Sequence, residues 1–252
     1  MAMRILLINP NISESVSDLI RAEAQRSAAP GTEISVLTAA FGVAYIETRF
    51  EALVGAYAAA ELAAEHAASH DAVVIAAFGD PGLAGIRELL PMPVVGMTDS
   101  ALASACLLGH RFSIIAISQR IQAWYREVVQ ANGLASRLAS IRALDQPLAD
   151  IGAVQQDHTA RLQELCERAV DEDGADVIIL AGAPLAGLAR GLRGRLPVPV
   201  VDGVSSAVCH AQSLVSLQPG SARRGSFVPP PVKPNKGLSA SLARALAAAH
   251  TP

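Results

Sequence analysis

Short apolar runs punctuate the chain at Arg4–Ile8, Glu33–Leu37, Ala72–Ala77, Pro93–Met97, Phe112–Ile117, Val177–Leu180 and Val198–Val201. They are rich in β-branched side chains and apolar at consecutive rather than alternate positions. That pattern belongs to strands covered on both faces, as parallel sheets require. Longer stretches with helical spacing separate them: Ser13–Ser27, Ala52–Ser69, Ser100–Leu108, Ile121–Asn132, Val154–Glu172 and Ser205–Leu217. Strand and helix in alternation predict an α/β fold, parallel sheets with helices on both faces. An extended Pro229-Pro-Pro-Val-Lys-Pro-Asn-Lys tail leads into a last helix at about Ser239–Ala249.

The pattern also repeats. The segment from Val73 through Phe78 to Gly85 resembles Val177 through Gly182 to Gly187. Pro93-Val-Val-Gly and Pro199-Val-Val-Asp each precede a helix, and Arg4–Asn11 lines up loosely with Arg111–Ser118. All three pairs are offset by about 105 residues. The chain therefore reads as two pseudo-symmetric, Rossmann-like domains, residues 1–97 plus 205–252 and residues 98–204. Open sheets of this kind bind ligands beyond the carboxyl ends of their strands. Equivalent loops of both halves should face one shared interdomain cleft.

Composition narrows the possibilities. Hydrophobic residues make up 51% of the 252 and charged residues 17%, enough to bury a large core. A net charge of −3 offers no field for nucleic acid or an anionic membrane, so neither is expected as a partner. Cys106, Cys166 and Cys209 are far apart with no CxxC pair, which argues against a disulfide framework or a zinc site. No apolar run approaches a membrane span, and a cytoplasmic, soluble protein is expected. No P-loop or GxGxxG occurs, and both lysines, Lys233 and Lys236, lie in the tail, so pyridoxal is not implied and no cofactor is expected. The apolar composition points to a homo-oligomer.

Candidate chemistry gathers where strands give way to helices. These segments are Asn9–Asn11, Ala76–Gly82, Ser118–Arg120 and Ala181–Pro184. Uncommitted backbone N–H groups and helix dipoles there favour a small anionic ligand. Asn11 and Ser118 occupy equivalent places and are expected to add side-chain donors, with Gln119 beside the second. Small residues at Ala76, Ala77, Gly79, Ala181, Gly182 and Ala183 let a ligand approach the backbone closely. Any one such loop is as readily a plain chain turn. Four at repeat-equivalent places point to a site.

Several of these segments carry a resemblance. Ile8-Asn-Pro-Asn-Ile-Ser13, Phe78-Gly-Asp-Pro-Gly-Leu83, Val200-Val-Asp-Gly203 and Lys233-Pro-Asn-Lys-Gly-Leu-Ser239 resemble the hydantoin and allantoin racemase branch of the aspartate/glutamate racemase superfamily. That superfamily also holds arylmalonate decarboxylase and maleate isomerase. The resemblance runs from Arg4 to about Ala247 and implies two four-stranded domains with the active site between them. It also implies a small carboxylate, cyclic ureide or amino-acid derivative as the ligand. Family racemases use two cysteines, one on each side of the substrate, to remove and return a carbon-bound proton. Inversion needs two acid/base groups because the planar carbanion must be reprotonated from the opposite face. In the family pattern the first cysteine directly precedes Phe-Gly-Asp-Pro-Gly; here that residue is Ala77. The second falls on Gly182. Cys106, Cys166 and Cys209 read instead as small core residues within helices.

Other groups are then needed for proton transfer. Tyr45, Glu47 and Arg49 lie where the family contacts substrate, and Asp80 follows Ala77 by three residues. A Tyr45 phenol would extend into a cleft emptied of two thiols, whereas Glu47 pairs equally well with Arg49 at the surface. Asp99 and Asp202 stand where helices begin and read as N-caps. Three functions remain open. One is an isomerase, lyase or cyclase that forms an enolate-like intermediate with Tyr45, Glu47 or Asp80 moving the proton. The others are a hydantoin-type racemase whose catalytic cysteines are removed or fall elsewhere in the alignment, and a ligand-binding protein without catalysis.

Overall fold

The computed structural model describes residues 2–146, 148–221 and 224–248. Strands β1 (Arg4–Asn9), β2 (Glu33–Thr38), β3 (Ala72–Ile75) and β4 (Val94–Gly96) form one sheet in the order β2-β1-β3-β4. Strands β5 (Phe112–Ala116), β6 (Leu138–Ala143), β7 (Val177–Leu180) and β8 (Val200–Asp202) form a second, in the matching order β6-β5-β7-β8. Every pairing is parallel. The consecutive apolar runs explain the centre of each sheet. Ile5–Ile8 and Val73–Ile75, like Ile114, Ile115 and Val177–Ile179, are fully buried because helices cover both faces.

The helices are α1 (Glu14–Ser27), α2 (Arg49–His66), α3 (Leu83–Leu89), α4 (Met97–Leu108), α5 (Gln122–Ala131), α6 (Val154–Asp171), α7 (Leu188–Leu192), α8 (Gly203–Leu217) and α9 (Ala240–Ala248). The last was expected to reach Ala249, which lies outside the described residues. Helix α4 leaves the first sheet and packs on β7 of the second, while α8 leaves the second and packs on β3 and β4 of the first. The two helices also pack on each other. A Cβ on Gly203 would stand 2.7 Å from Met97 Cγ, so glycine lets their first turns close up. This exchange of helices holds the carboxyl ends of both sheets around common ground. No described helix is long and apolar enough to cross a membrane.

Three differences from the sequence reading have local causes. Strand β6 was not anticipated, because it is a half-buried edge strand with Ser140 and Arg142 interrupting its apolar positions. Several strands end earlier than their apolar runs: β3 stops at Ile75, β5 at Ala116, and Met97 already belongs to α4. The short helices α3 and α7 were also missed. Both start from a glycine in the left-handed region, Gly82 (φ 79°) and Gly187 (φ 86°), in sequence that reads as turn.

Candidate active site

The loops that follow β1, β2, β3, β5 and β7 close around one cavity of about 380 Å³, counting the space open at its mouth. From the first half, Asn11, Tyr45, Ala77 and Phe78 line it; from the second, Ile117, Tyr125, Gly182 and Ala183 do. Among the described residues no charged side chain lines the cavity, and no group of His, Cys, Asp or Glu could hold a metal ion.

Asn11 is fixed by a network that leaves no ambiguity about its amide. Asn9 Nδ2 donates to the Ser13 carbonyl (3.1 Å) and to Ser17 Oγ (3.0 Å), so Asn9 Oδ1 is the acceptor. That oxygen receives both the backbone N–H and the Nδ2 of Asn11, each at 3.0 Å. Asn11 Oδ1 is therefore the atom left over, buried and without a hydrogen-bond partner. An orphaned buried acceptor is worth about 1–3 kcal/mol to satisfy. Sequence reasoning expected Asn11 to contribute a donor. The structure adds an acceptor: the backbone N–H and one Nδ2 hydrogen are used internally, and Oδ1 is left without a partner.

The β2–α2 loop brings in Tyr45. A capping box anchors the start of α2: Thr48 Oγ1 accepts from Glu51 N, and Glu51 Oε2 accepts from the N–H groups of Glu47 and Thr48. Ile46 tucks against Gly55, where any Cβ would stand 2.7 Å from Ile46 Cδ1. Ile12 N donates to Val43 O across the same loop. Tyr45 is half-buried, and burial followed by the Glu47 carboxylate raises its pKa. At neutral pH its phenol is protonated. Glu47 itself does not line the cavity. Arg49, an expected surface partner of Glu47, instead forms a two-pronged pair with Glu127.

Two strand ends face each other across the pseudo-symmetric halves. Ala77 and Phe78 follow β3; Gly182 and Ala183 follow β7. The N–H groups of these four residues take part in none of the loop backbone hydrogen bonds. The second loop is steadied by α6, where Gln155 Nε2 donates to the Pro184 and Ala186 carbonyls at 2.9 and 2.8 Å. It is also tied to α1, because Arg190 spans from α7 to the buried Glu23.

Each half joins the loop after its third strand to the helix after its fourth with one aspartate, supplied from opposite ends. In the first half Asp80, in the left-handed region (φ 48°), accepts from Thr98 N and Asp99 N at 2.8 Å each. Gly96 must lack a side chain because Asp80 fills that space. In the second half Asp202 accepts from Val204 N and Ser205 N and, through its other oxygen, from Gly187 N at 2.6 Å. Asp202 is the N-cap expected of it. Asp99 is not: the amides of the first turn of α4 are held by Asp80, and Asp99 pairs with Arg87 at 3.0 Å. Both carboxylate oxygens of Asp80 are thus occupied, outside the cavity lining. Burial, then the charge of Asp99, raises its pKa to about 7.

Gly79, Ser118 and Gln119, also proposed as ligand contacts, stand outside the lining. Gly79 (φ 100°) gives its N–H to Thr98 Oγ1 and makes room for the Trp124 ring. Ser118 caps a short 3-10 turn, and exposed Gln119 reaches the Ala143 carbonyl. Cysteines do not reach the cavity either. Cys166 is buried in α6, but Cys209 is exposed rather than a core residue, and Cys106 is intermediate. Tyr125 was missed. It lies in an amphipathic helix, and nothing local marks the face that turns to the cavity.

Residues 5–211 match the family model described as Asp/Glu/Hydantoin racemase. A hydantoin racemase of Paenarthrobacter aurescens is 39% identical over 236 residues, 92% of this chain and 99% of that one. The structure of an allantoin racemase from Klebsiella pneumoniae superposes with a TM-score of 0.91 at 36% identity, covering 95% of this chain and 98% of that one. A maleate isomerase from Pseudomonas putida S16 shares the fold, with a TM-score of 0.64 at 14% identity over 85% of this chain and 93% of its own.

Proposed function

Because the chain belongs to the Asp/Glu/hydantoin racemase family, we propose that it is an enzyme acting on a small, uncharged cyclic ureide through an enolate-like intermediate. The observation that carries this reading is the unpartnered Oδ1 of Asn11, a residue that lines a cavity with no charged side chain in its lining. A ureide ring alternates N–H donors with carbonyl acceptors. Its N–H satisfies Asn11, and its carbonyl oxygens meet the free N–H groups at Ala77–Phe78 or Gly182–Ala183. A carboxylate ligand meets the donors but leaves the acceptor orphaned, and no cation balances its charge. The hydantoin and allantoin racemases among its relatives support the same substrate class.

Chemistry follows from what lines the cavity. Backbone N–H groups aimed at an oxygen that gains charge stabilise an enolate without reorganisation. Ala77 and Gly182, where the resemblance places the two thiols, share this one cavity and carry no acid/base group. Tyr45 with Glu47 is the remaining proton-handling pair. The carbon-bound proton passes to the Tyr45 oxygen as the phenolic proton passes to Glu47, and the reverse transfer returns a proton to carbon. One pair works on one face. Exchange with solvent is then faster than inversion.

The test uses L-5-benzylhydantoin in heavy water, with the C5–H followed by proton NMR and configuration by chiral chromatography. Exchange above the buffer rate, slowed at least tenfold in Tyr45→Phe and Glu47→Gln and faster than loss of configuration, supports the reading. No exchange above buffer overturns it in favour of a binding protein. A second reading, a racemase lacking its sulfurs, draws on Ala77 and Gly182 sharing one cavity. It expects inversion to appear only in the Ala77→Cys/Gly182→Cys double variant.

A further inference from the structure

Tyr125 is the largest polar side chain bordering the cavity that the proton-transfer scheme leaves unused. It sits on α5 in the second half, 2% exposed. Its ring packs on Phe78 with centroids 4.7 Å apart and on Trp124 at 5.7 Å. Trp124 in turn presses over Gly79, where no Cβ fits. The ring is thus held between the first half's strand-end loop and its own helix, with little freedom to swing away. Such a fixed phenol is a pre-organised donor.

Its surroundings decide which role the oxygen plays. Burial, then the negative charges of Asp80 and Glu47, strongly opposes ionisation, so the phenol is neutral at every physiological pH. The two carboxylates act on it through space, and the side chain lines the cavity. A phenol bordering the cavity is placed to give its hydrogen to a ligand oxygen there.

We infer that Tyr125 is a catalytic residue that donates its hydrogen bond to the ureide carbonyl oxygen adjacent to the reacting carbon. This deepens the ureide reading and rests on it. The first half supplies Tyr45, which handles the proton, and the second half supplies Tyr125, which holds the oxygen where charge develops. No proton leaves Tyr125. Its contribution is to lower the energy of the enolate relative to the bound ring.

The experiment compares two rings that differ by that one carbonyl: hydantoin, which has it, and imidazolidin-2-one, which lacks it. Binding of each is measured by titration calorimetry with wild type and Tyr125→Phe. The variant is expected to bind hydantoin about 5- to 10-fold more weakly, as for one lost hydrogen bond, and imidazolidin-2-one within twofold of wild type. Equal weakening of both rings assigns Tyr125 to packing alone and overturns the inference, as does unchanged hydantoin binding. Wild type that binds neither ring overturns the ureide reading itself, and this inference with it. A second measurement needs no substitution at Tyr125. With tyrosine labelled at its ζ carbon, one NMR signal that survives in both Tyr45→Phe and Tyr57→Phe should move on adding hydantoin and stay fixed with imidazolidin-2-one. A Tyr125 signal that ignores hydantoin, or responds alike to both rings, contradicts the assignment.

Discussion

The two positions that share the cavity floor are not equivalent in backbone, and this sets a measurable asymmetry. Gly182 has φ 109° and ψ 140°, a region that residues with a Cβ rarely enter. Space is not the obstacle: a Cβ built there meets only Pro184 Cδ, at 3.5 Å, an ordinary contact. The penalty for Gly182→Ala is therefore almost wholly backbone strain, about 1–3 kcal/mol. That corresponds to roughly a 5- to 150-fold shift of the folding equilibrium. Ala77 already carries a Cβ, is absent from the positive-φ residues, and faces the same cavity. Ala77→Cys is expected to change stability by less than about 0.5 kcal/mol. Urea unfolding followed by circular dichroism measures both, with the slope of the transition checked for constancy. Gly182→Ala as stable as wild type would show that this loop adopts another conformation in solution. Glycine would then not be locked at this position.

Two further expectations follow from the polar links around the cavity. Glu23 is buried to 1% side-chain exposure and takes its short charged bonds from Arg190, with Ser27 Oγ donating at 3.1 Å and Arg26 at 3.6 Å as its other cation. Arg190→Met should therefore cost about 2–4 kcal/mol by urea unfolding, the lower end if Arg26 moves in, and a loss under 0.5 kcal/mol would contradict a latch between α1 and α7. Asp80 has its folded pKa raised from 3.8 to about 7, so the folded chain holds this proton more tightly than the unfolded one. Its stabilising contribution is full below the unfolded value and is lost as pH rises through about 7. The stability of wild type relative to Asp80→Asn should thus grow between pH 8 and pH 5, and a pH-independent difference would refute it.

Much of the fold was legible because buried parallel strands leave consecutive apolar runs, and β1, β3, β5 and β7 are such strands. Edge strands are harder, since one half-solvated flank admits polar residues. Even so, β6 left a trace. Shifting Glu33–Thr38 by the 105-residue offset of the repeat lands on Leu138–Ala143. The cavity lining was legible where it follows strand ends, as for Asn11, Ala77 and Gly182. It was illegible where long-range packing decides. Asp80 reads as a candidate acid, yet its oxygens belong to amides some 18 residues away. Tyr125 reads as one more residue of an amphipathic helix, and only the docking of α5 onto Phe78 turns its ring to the cavity. The direction of the Asn11 amide depends on Ser13 and Ser17, which no local pattern connects to a ligand.

Complementarity to an uncharged ring is where the account is most exposed, and one titration addresses it. Wild-type protein is titrated by calorimetry at pH 7 with 5-benzylhydantoin and, separately, with the ring-opened acid N-carbamoylphenylalanine. The closed ring, which places an N–H against Asn11 and brings no charge into the cavity, should bind at least tenfold more tightly. Tighter binding of the carboxylate would contradict the account, because the cleft would then be recognising an anion.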